Sequence, residues 1–201
     1  GIPRDIEADH SYNSYLGQIL NYLWERYRSK PLTIILCGGK TDMTPPYRRT
    51  EAGEMAKWFL PRMKKLKLSK WKLTSYTGGL HTLENMPGTR HMVGTSNALY
   101  FCEYTREKKV KALARAVFGP KIIVMPIEFD TSPARYDSET RSRLEAEDLR
   151  YSMHALRDAA WRRKLNEANK EKIRILRKTP AARRKTEIDR ITRKIRQAFM
   201  K

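Results

Sequence analysis

The sequence predicts an α/β fold with a mostly parallel sheet, followed by a basic α-helical C-terminal extension. Three observations carry this. Up to about residue 130, short apolar runs alternate with segments of helical period, the pattern of βαβ units. Two of those runs end in glycine pairs, Gly38-Gly39 and Gly78-Gly79, each followed by polar residues. Positive charge gathers at the far end: from Trp161 onward the chain holds 16 of its 42 Lys and Arg but 4 of its 22 acids, which is +12 of a net +20.

The elements follow in order. Leu16, Ile19, Leu20, Leu23 and Tyr27 recur with the spacing of an amphipathic helix over 13–27, with Ser11 or Asn13 as its cap. Leu32 to Cys37 is apolar without alternation, as in a strand covered on both faces, and it runs into Gly38-Gly39-Lys40-Thr41-Asp42. Pro45 and Pro46 are expected to hold the loop extended. Thr50 caps a helix from Glu51 to about Leu60, with Ala52, Met55, Ala56 and Phe59 inward and Pro61 weakening its end. A basic run, Lys64 to Lys72, leads to a strand over 71–76. Met86-Pro87-Gly88 is expected to interrupt the helix begun at Thr82, leaving 89–97 as loop or a short turn. Strands over 98–102 and 121–127 flank a helix over 105–118 that stops at Gly119-Pro120. From Ser138 one helix is expected to reach about Glu167, with Leu144, Leu149, Met153, Leu156 and Ala160 as its stripe. Beyond Thr179-Pro180 a last helix, 183–200, has Ile188, Ile191, Ile195 and Phe199 on one face and bases on the others.

Composition bounds the function. A chain of 201 residues buries one sizeable core, and the expected division is a domain over 1–158 with an extension over 159–201. A net charge of +20 repels copies of the chain and attracts polyanions. Two cysteines, Cys37 and Cys102, make no disulfide framework, and four histidines show no ligand spacing, so no metal is expected. No apolar run approaches the roughly 18 residues of a membrane span. The first residue is Gly, so a leader removed from the native start would leave no trace. The expected location is intracellular: the mitochondrial matrix, with the cytoplasm as the alternative.

In open α/β sheets ligands bind beyond the carboxyl ends of strands, which places Asp42, His81, Glu84 and Asn85 along one rim. Glu51, Glu103 and Asp130 are expected at nearby element ends. Clustered carboxylates raise one another's pKa or hold a divalent cation, and His81 titrates in the range for acid-base work. The same residues also cap helices or pair with Arg48, Arg49 or Arg106. No nucleophile elbow, Walker loop or His-Cys set accompanies them. Binding is therefore favoured over catalysis, and no catalytic residue is assigned.

The rim motifs in their order, Gly-Gly-x-Thr-Asp, Thr-Glu-Ala opening a helix, Thr-x-Glu-Asn after the next strand, and a later strand ending Phe-Asp, resemble the family of YdcF, SanA and ElyC proteins over about residues 9–158. That resemblance implies a Rossmann-like three-layer sandwich with a polar pocket. It maps the pocket onto Gly38, Gly39, Asp42, Thr50, Glu51, Thr82, Glu84 and Asn85, with His81, Glu103, Arg106 and Asp130 as further candidates. Some relatives are reported to bind S-adenosylmethionine, so that ligand is the one the resemblance suggests, although no cofactor is required. The chain departs from the family pattern at Tyr76, Gly79 and His81, and again at Glu103-Tyr104-Thr105-Arg106.

The extension lies outside the resemblance. Its cations are Arg162, Arg163, Lys164, Lys170, Lys172, Arg174, Arg177 and Lys178, then Arg183, Arg184, Lys185, Arg190, Arg193, Lys194 and Arg196. Lys and Arg on short helices neutralise phosphates and release counterions, and the planar Arg fork suits phosphate. The expected function is an RNA-associated binding component of a ribonucleoprotein particle, exemplified by an organellar ribosome, with ribosomal RNA and neighbouring proteins as partners. The alternative is an enzyme or a nucleotide-type ligand-binding protein that retains the rim pocket.

Overall fold

The structure, a computed structural model, describes residues 3, 5–43, 45–128 and 138–199. The expectation for Asp130 lies outside them. The fold is mixed α/β. Helix α1 (His10–Tyr27) precedes β1 (Leu32–Cys37), α2 (Glu51–Lys65), β2 (Trp71–Tyr76) and α3 (Thr82–Val93). Strand β3 (Ala98–Glu103), a single 3-10 turn (Tyr104–Arg106), α4 (Glu107–Phe118) and β4 (Ile122–Ile127) follow. The chain then becomes helical through α5 (Ser138–Arg157), α6 (Ala159–Lys178), a second 3-10 turn (Ala181–Arg183) and α7 (Arg184–Phe199).

All four expected strands form. They hydrogen-bond as two parallel pairs, each joined through a helix. In one, β1 runs beside β2 from Leu32 opposite Trp71 to Cys37 opposite Tyr76. In the other, β3 runs beside β4 from Ala98 opposite Ile122 to Glu103 opposite Ile127.

Several boundaries differ from the sequence reading, each for a local reason. Asp9 caps α1, because its carboxylate accepts from the Tyr12 amide at 2.8 Å, so the helix starts before Ser11 and Asn13. Helix α2 continues through Pro61 to Lys65; the ring costs one backbone bond, while Trp58, Phe59 and Met63 on either side are buried and hold the helix together. Thr50 caps it as expected, accepting from the Gly53 amide at 3.1 Å. Pro45 and Pro46 form a turn around a cis peptide bond instead of an extended run. Helix α3 passes through Pro87 and Gly88 to Val93, since Leu83, Met86 and Thr89 bury the same face. The expected single helix after Ser138 is two: the Asp158 carboxylate accepts from the amides of Ala160 and Trp161 and starts α6 afresh. In α5 the fully buried residues are Ser152 and Ala155, small side chains that allow close packing, and Ala160 is exposed.

Two apolar clusters form the interior. One gathers α1, α2 and the β1–β2 pair around Leu16, Phe59 and Trp58. The other gathers α3, α4 and the β3–β4 pair around Leu83, Met86, Leu113 and Val124, and it includes Leu165 of α6, with Trp161, Ile195 and Phe199 packed against it. The basic extension is thus seated on the same core as the strands. Arg196 reinforces this by donating to Asp148 at 3.1 Å, to Glu147 at 3.2 Å and to the Leu144 carbonyl at 3.2 Å, which ties α7 to α5.

Candidate functional site

The parallel register brings the two glycine loops to the same end of β1 and β2. The Gly38 amide donates to the Tyr76 carbonyl at 3.0 Å, and the Gly39 amide to the Gly79 carbonyl at 2.6 Å. A Cβ on Gly39 would stand 2.6 Å from the Gly79 oxygen and 2.9 Å from the Thr77 oxygen, so only glycine permits this approach. The loop also closes onto α2. The carbonyls of Gly39 and Gly38 accept from the first two amides of that helix, at 3.0 and 3.1 Å, while Thr50 takes the next two through its hydroxyl and its carbonyl. All four first-turn donors are spent internally, which removes the usual reason for an anion to bind a helix start.

The carboxylates and bases of the rim are likewise engaged within the chain. Asp42 is 1% exposed and holds the Arg49 fork at 2.8 and 3.1 Å. Glu84 accepts from the Leu80 amide at 2.8 Å. Arg106 donates to the Thr82 hydroxyl at 2.6 Å and pairs with Glu145 of α5 at 3.3 Å, where Lys109 also reaches at 2.9 Å. Burial opposes the Arg106 charge, but Glu145 and Glu103 more than offset it and raise its pKa above the ordinary guanidinium value. Burial works against the Glu145 charge too, yet Arg106 and Lys109 bring its pKa down to about 2. Glu103 pairs with Arg141 at 2.5 Å. His81 shares a hydrogen bond with Asn166 of α6 at 3.1 Å; burial first, then Lys109, lowers its pKa to about 4. It is therefore neutral near pH 7, and its 3.7 Å approach to Glu84 is not an ion pair. Burial raises the Glu51 pKa. Cys37 and Cys102 are pushed up by burial to about 11 and about 12, which makes them inert thiols.

The rim candidates do come together, with α5 and α6 laid across them. Helix α6 reaches the first glycine loop through Arg177, which donates to the carbonyls of Lys40 at 2.8 Å and Asp42 at 3.1 Å and lies 4.8 Å from the Tyr47 ring centre. An open cavity of about 400 Å³ remains between the loop and the helix, lined by Lys40, Tyr47 and Leu80 on one side and by Lys170, Ile173, Arg174, Arg177 and Lys178 of α6 on the other. The position of Lys40 just beyond the carboxyl end of β1 is where the strand-end rule puts a site; nothing in the sequence pointed to Tyr47.

No known family model, curated protein or solved structure matches the chain. The site therefore stands on its own geometry.

The fifteen candidate cations of the extension divide. Arg162 turns to the carbonyls of Ala155 and Leu156, Arg184 to those of Leu176 and Thr179, and Arg177 and Arg196 bind as described. Lys170, Arg174 and Arg190 pair with Glu167, Glu171 and Glu187 three residues before them, at 2.7, 2.5 and 2.5 Å. Lys172 is half-buried. Arg163, Lys164, Lys178, Arg183, Lys185, Arg193 and Lys194 are exposed; Asp158, Glu171 and Glu187 lie near enough to Arg163, Lys178 and Lys194 for a long-range attraction, without the close pairing of the other three cations.

Proposed function

We propose that the protein is an RNA-associated structural component of a ribonucleoprotein particle, held to RNA by the exposed cations of α6 and α7 and to neighbouring proteins by the rest of its surface. One observation carries the reading: seven exposed cations stand on α6, α7 and the turn between them, whose apolar faces are anchored by Leu165, Leu176 and Ile191. Their backbone is ordered before binding, so less entropy is lost on contact with phosphate. Contacts of this kind read backbone and shape, not base sequence. The reading includes a domain descended from the YdcF, SanA and ElyC group, with the two strand pairs as parts of one three-layer sandwich. Its setting is an organellar ribosome, with the mitochondrial matrix as the compartment.

A second reading, a pocket for S-adenosylmethionine or a nucleotide-type ligand, has Asn85 in its favour: its buried Oδ1 lacks a hydrogen-bond partner among the described residues. Against it, Arg106, Glu103, Glu84 and Asp42 each already hold a charged or hydrogen-bonding partner within the chain.

Filter binding of a structured RNA across a salt series tests the proposal. Removing the extension would strip Leu165 from the core, so the informative variant is Arg183→Ala, Lys185→Ala, Arg193→Ala and Lys194→Ala combined. On duplex RNA the slope of log K against log salt is expected to flatten by up to about 3.6, at roughly 0.9 for each phosphate no longer neutralised. Affinity indifferent to salt and to these substitutions rejects it. A thermal shift with S-adenosylmethionine that disappears in Glu84→Ala would promote the second reading in its place.

A further inference from the structure

A second cationic surface lies at the other end of the β1–β2 pair. It is built from two segments distant in sequence. Arg26, Arg28 and Lys30 come from the end of α1 and the turn after it, and Lys64, Lys65, Lys67, Lys70 and Lys72 come from the end of α2 and the start of β2. All eight are exposed. The segments are stitched together: the Trp71 indole donates to the Tyr27 carbonyl at 3.2 Å, the Lys70 ammonium to the Ser29 carbonyl at 3.4 Å, and the Leu32 amide to the Lys70 carbonyl at 3.4 Å. Among the described residues the acid paired within this patch is Glu25, 3.9 Å from Arg26.

Helix-end electrostatics accounts for part of this charge, since Lys64 and Lys65 sit in the last turn of α2 and cations are favoured there. It does not account for Lys30, Lys70 or Lys72, which lie beyond the helices. Nor does it account for Lys67, which holds the left-handed conformation (φ 54°) just after α2, a position where glycine is the low-cost residue. The α1 cations are also positioned: Arg26 lies 4.2 Å from the Tyr22 ring centre, Arg28 4.8 Å from that of Trp24 and Lys30 5.9 Å from that of Tyr27. The surface is therefore a dense, partly preorganised cation array rather than a scatter of solvated side chains.

We infer that this end of the molecule is a second face for an RNA phosphate backbone, and that the protein joins two RNA segments. The inference rests on the proposed RNA association and extends it. Arg177, next to the exposed Lys178 of the first face, donates to the Lys40 carbonyl at the carboxyl ends of the strands, whereas Lys70 donates to the Ser29 carbonyl, beside Lys30, at their amino ends. Six residues of strand separate them by about 17–20 Å. At about 3.4 Å of axis per strand phosphate, a run of three or four phosphates on one face does not reach the other. The repeating charge of a nucleic acid matches eight cations with one paired acid, at about one negative charge per 1.7 Å of duplex.

The test uses the full chain and two variants. The first combines Lys30→Ala, Lys64→Ala, Lys67→Gly and Lys70→Ala; the glycine relieves the left-handed residue and favours folding. The second is the α7 variant described above. An RNA hairpin is fixed to a surface, protein is bound, and capture of a second, fluorescent hairpin is read. Each variant is expected to retain binding to the fixed hairpin while capture of the second falls at least tenfold, and each flattens the salt slope separately. Capture unchanged in the first variant overturns the inference and leaves RNA association standing. A wild-type chain that binds no RNA overturns both. If the first variant loses retention on poly-glutamate or anionic vesicles and keeps its RNA capture, the occupant of this face is not RNA and the inference fails.

Discussion

Replacing Leu165 with alanine separates a seated extension from a loose basic arm. Leu165 is 3% exposed and lies in the cluster of Leu83, Met86, Leu113 and Val124, so the substitution removes buried carbon and opens a cavity beneath α6. Large-to-small changes of this kind cost about 3 kcal/mol when the surroundings relax only in part. With a urea dependence of about 2–3 kcal/mol per molar, the unfolding midpoint is expected to fall by roughly 1 M with little change in slope. Equilibrium urea unfolding followed by circular dichroism measures this, with Lys164→Ala as the control, since that side chain is exposed one residue away. The control is expected to melt with the wild type, because surface substitutions away from special features have small effects. An unchanged midpoint in Leu165→Ala, or a two-step transition in which only a minor step moves, would refute the seating of the extension on the second core.

Other outcomes can be measured in the same way. The His81 pKa is lowered to about 4 from an ordinary 6.5, so the unfolded chain binds the proton first as pH falls; stability is full above about 6.5 and declines by about 3 kcal/mol toward pH 4. Glu145, with its pKa at about 2, acts in a lower window, its contribution present above about 4.5 and lost as pH falls toward 2. Urea midpoints against pH should show the upper step, and His81→Gln should abolish it while leaving the lower one; a flat profile from pH 7 to 4 contradicts the burial of His81. Gly39→Ala should destabilise, because its Cβ meets two backbone carbonyls that cannot move aside. Gly17→Ala, in the interior of α1 with nothing within 4 Å of the new carbon, should stabilise by about 0.5–1 kcal/mol, and thermal melts of the pair check both signs.

The four strands and the faces of most helices are legible in the sequence because they depend on local patterning. The run at Leu32 to Cys37 forms its strand, although the expected cover on both faces is incomplete, with Leu36 buried and Thr33 exposed; Ile191 is buried, and Ile195 and Phe199 pack against the second cluster. Proline is a weaker stop here than its local chemistry suggests. Pro61 and Pro87 cost one backbone bond each, and burial on the same helix face outweighs that loss. The break at Asp158 is the opposite case, since a capping carboxylate in a long polar helix looks like any other acid until its amide partners are known.

The sequence alone determined that the chain alternates strands and helices, carries a strong positive charge at its far end, and gathers the rim residues near the ends of β1 and β2. These follow from side-chain period and composition, which need no knowledge of distant neighbours. Only the tertiary structure decided which of those groups are free. Arg106 finds Glu145 across 39 residues of sequence, and Arg177 crosses well over a hundred to the carbonyls of Lys40 and Asp42. Seven of the fifteen extension cations are left exposed and outside the close ion pairs of α6 and α7, and Lys30 and Lys70 are brought to one surface. Charge pairing is a matter of a few ångströms in space. Periodicity along the chain cannot supply that distance, so which cations stay exposed was set by the packing of α5, α6 and α7 and by the parallel register of β1 with β2.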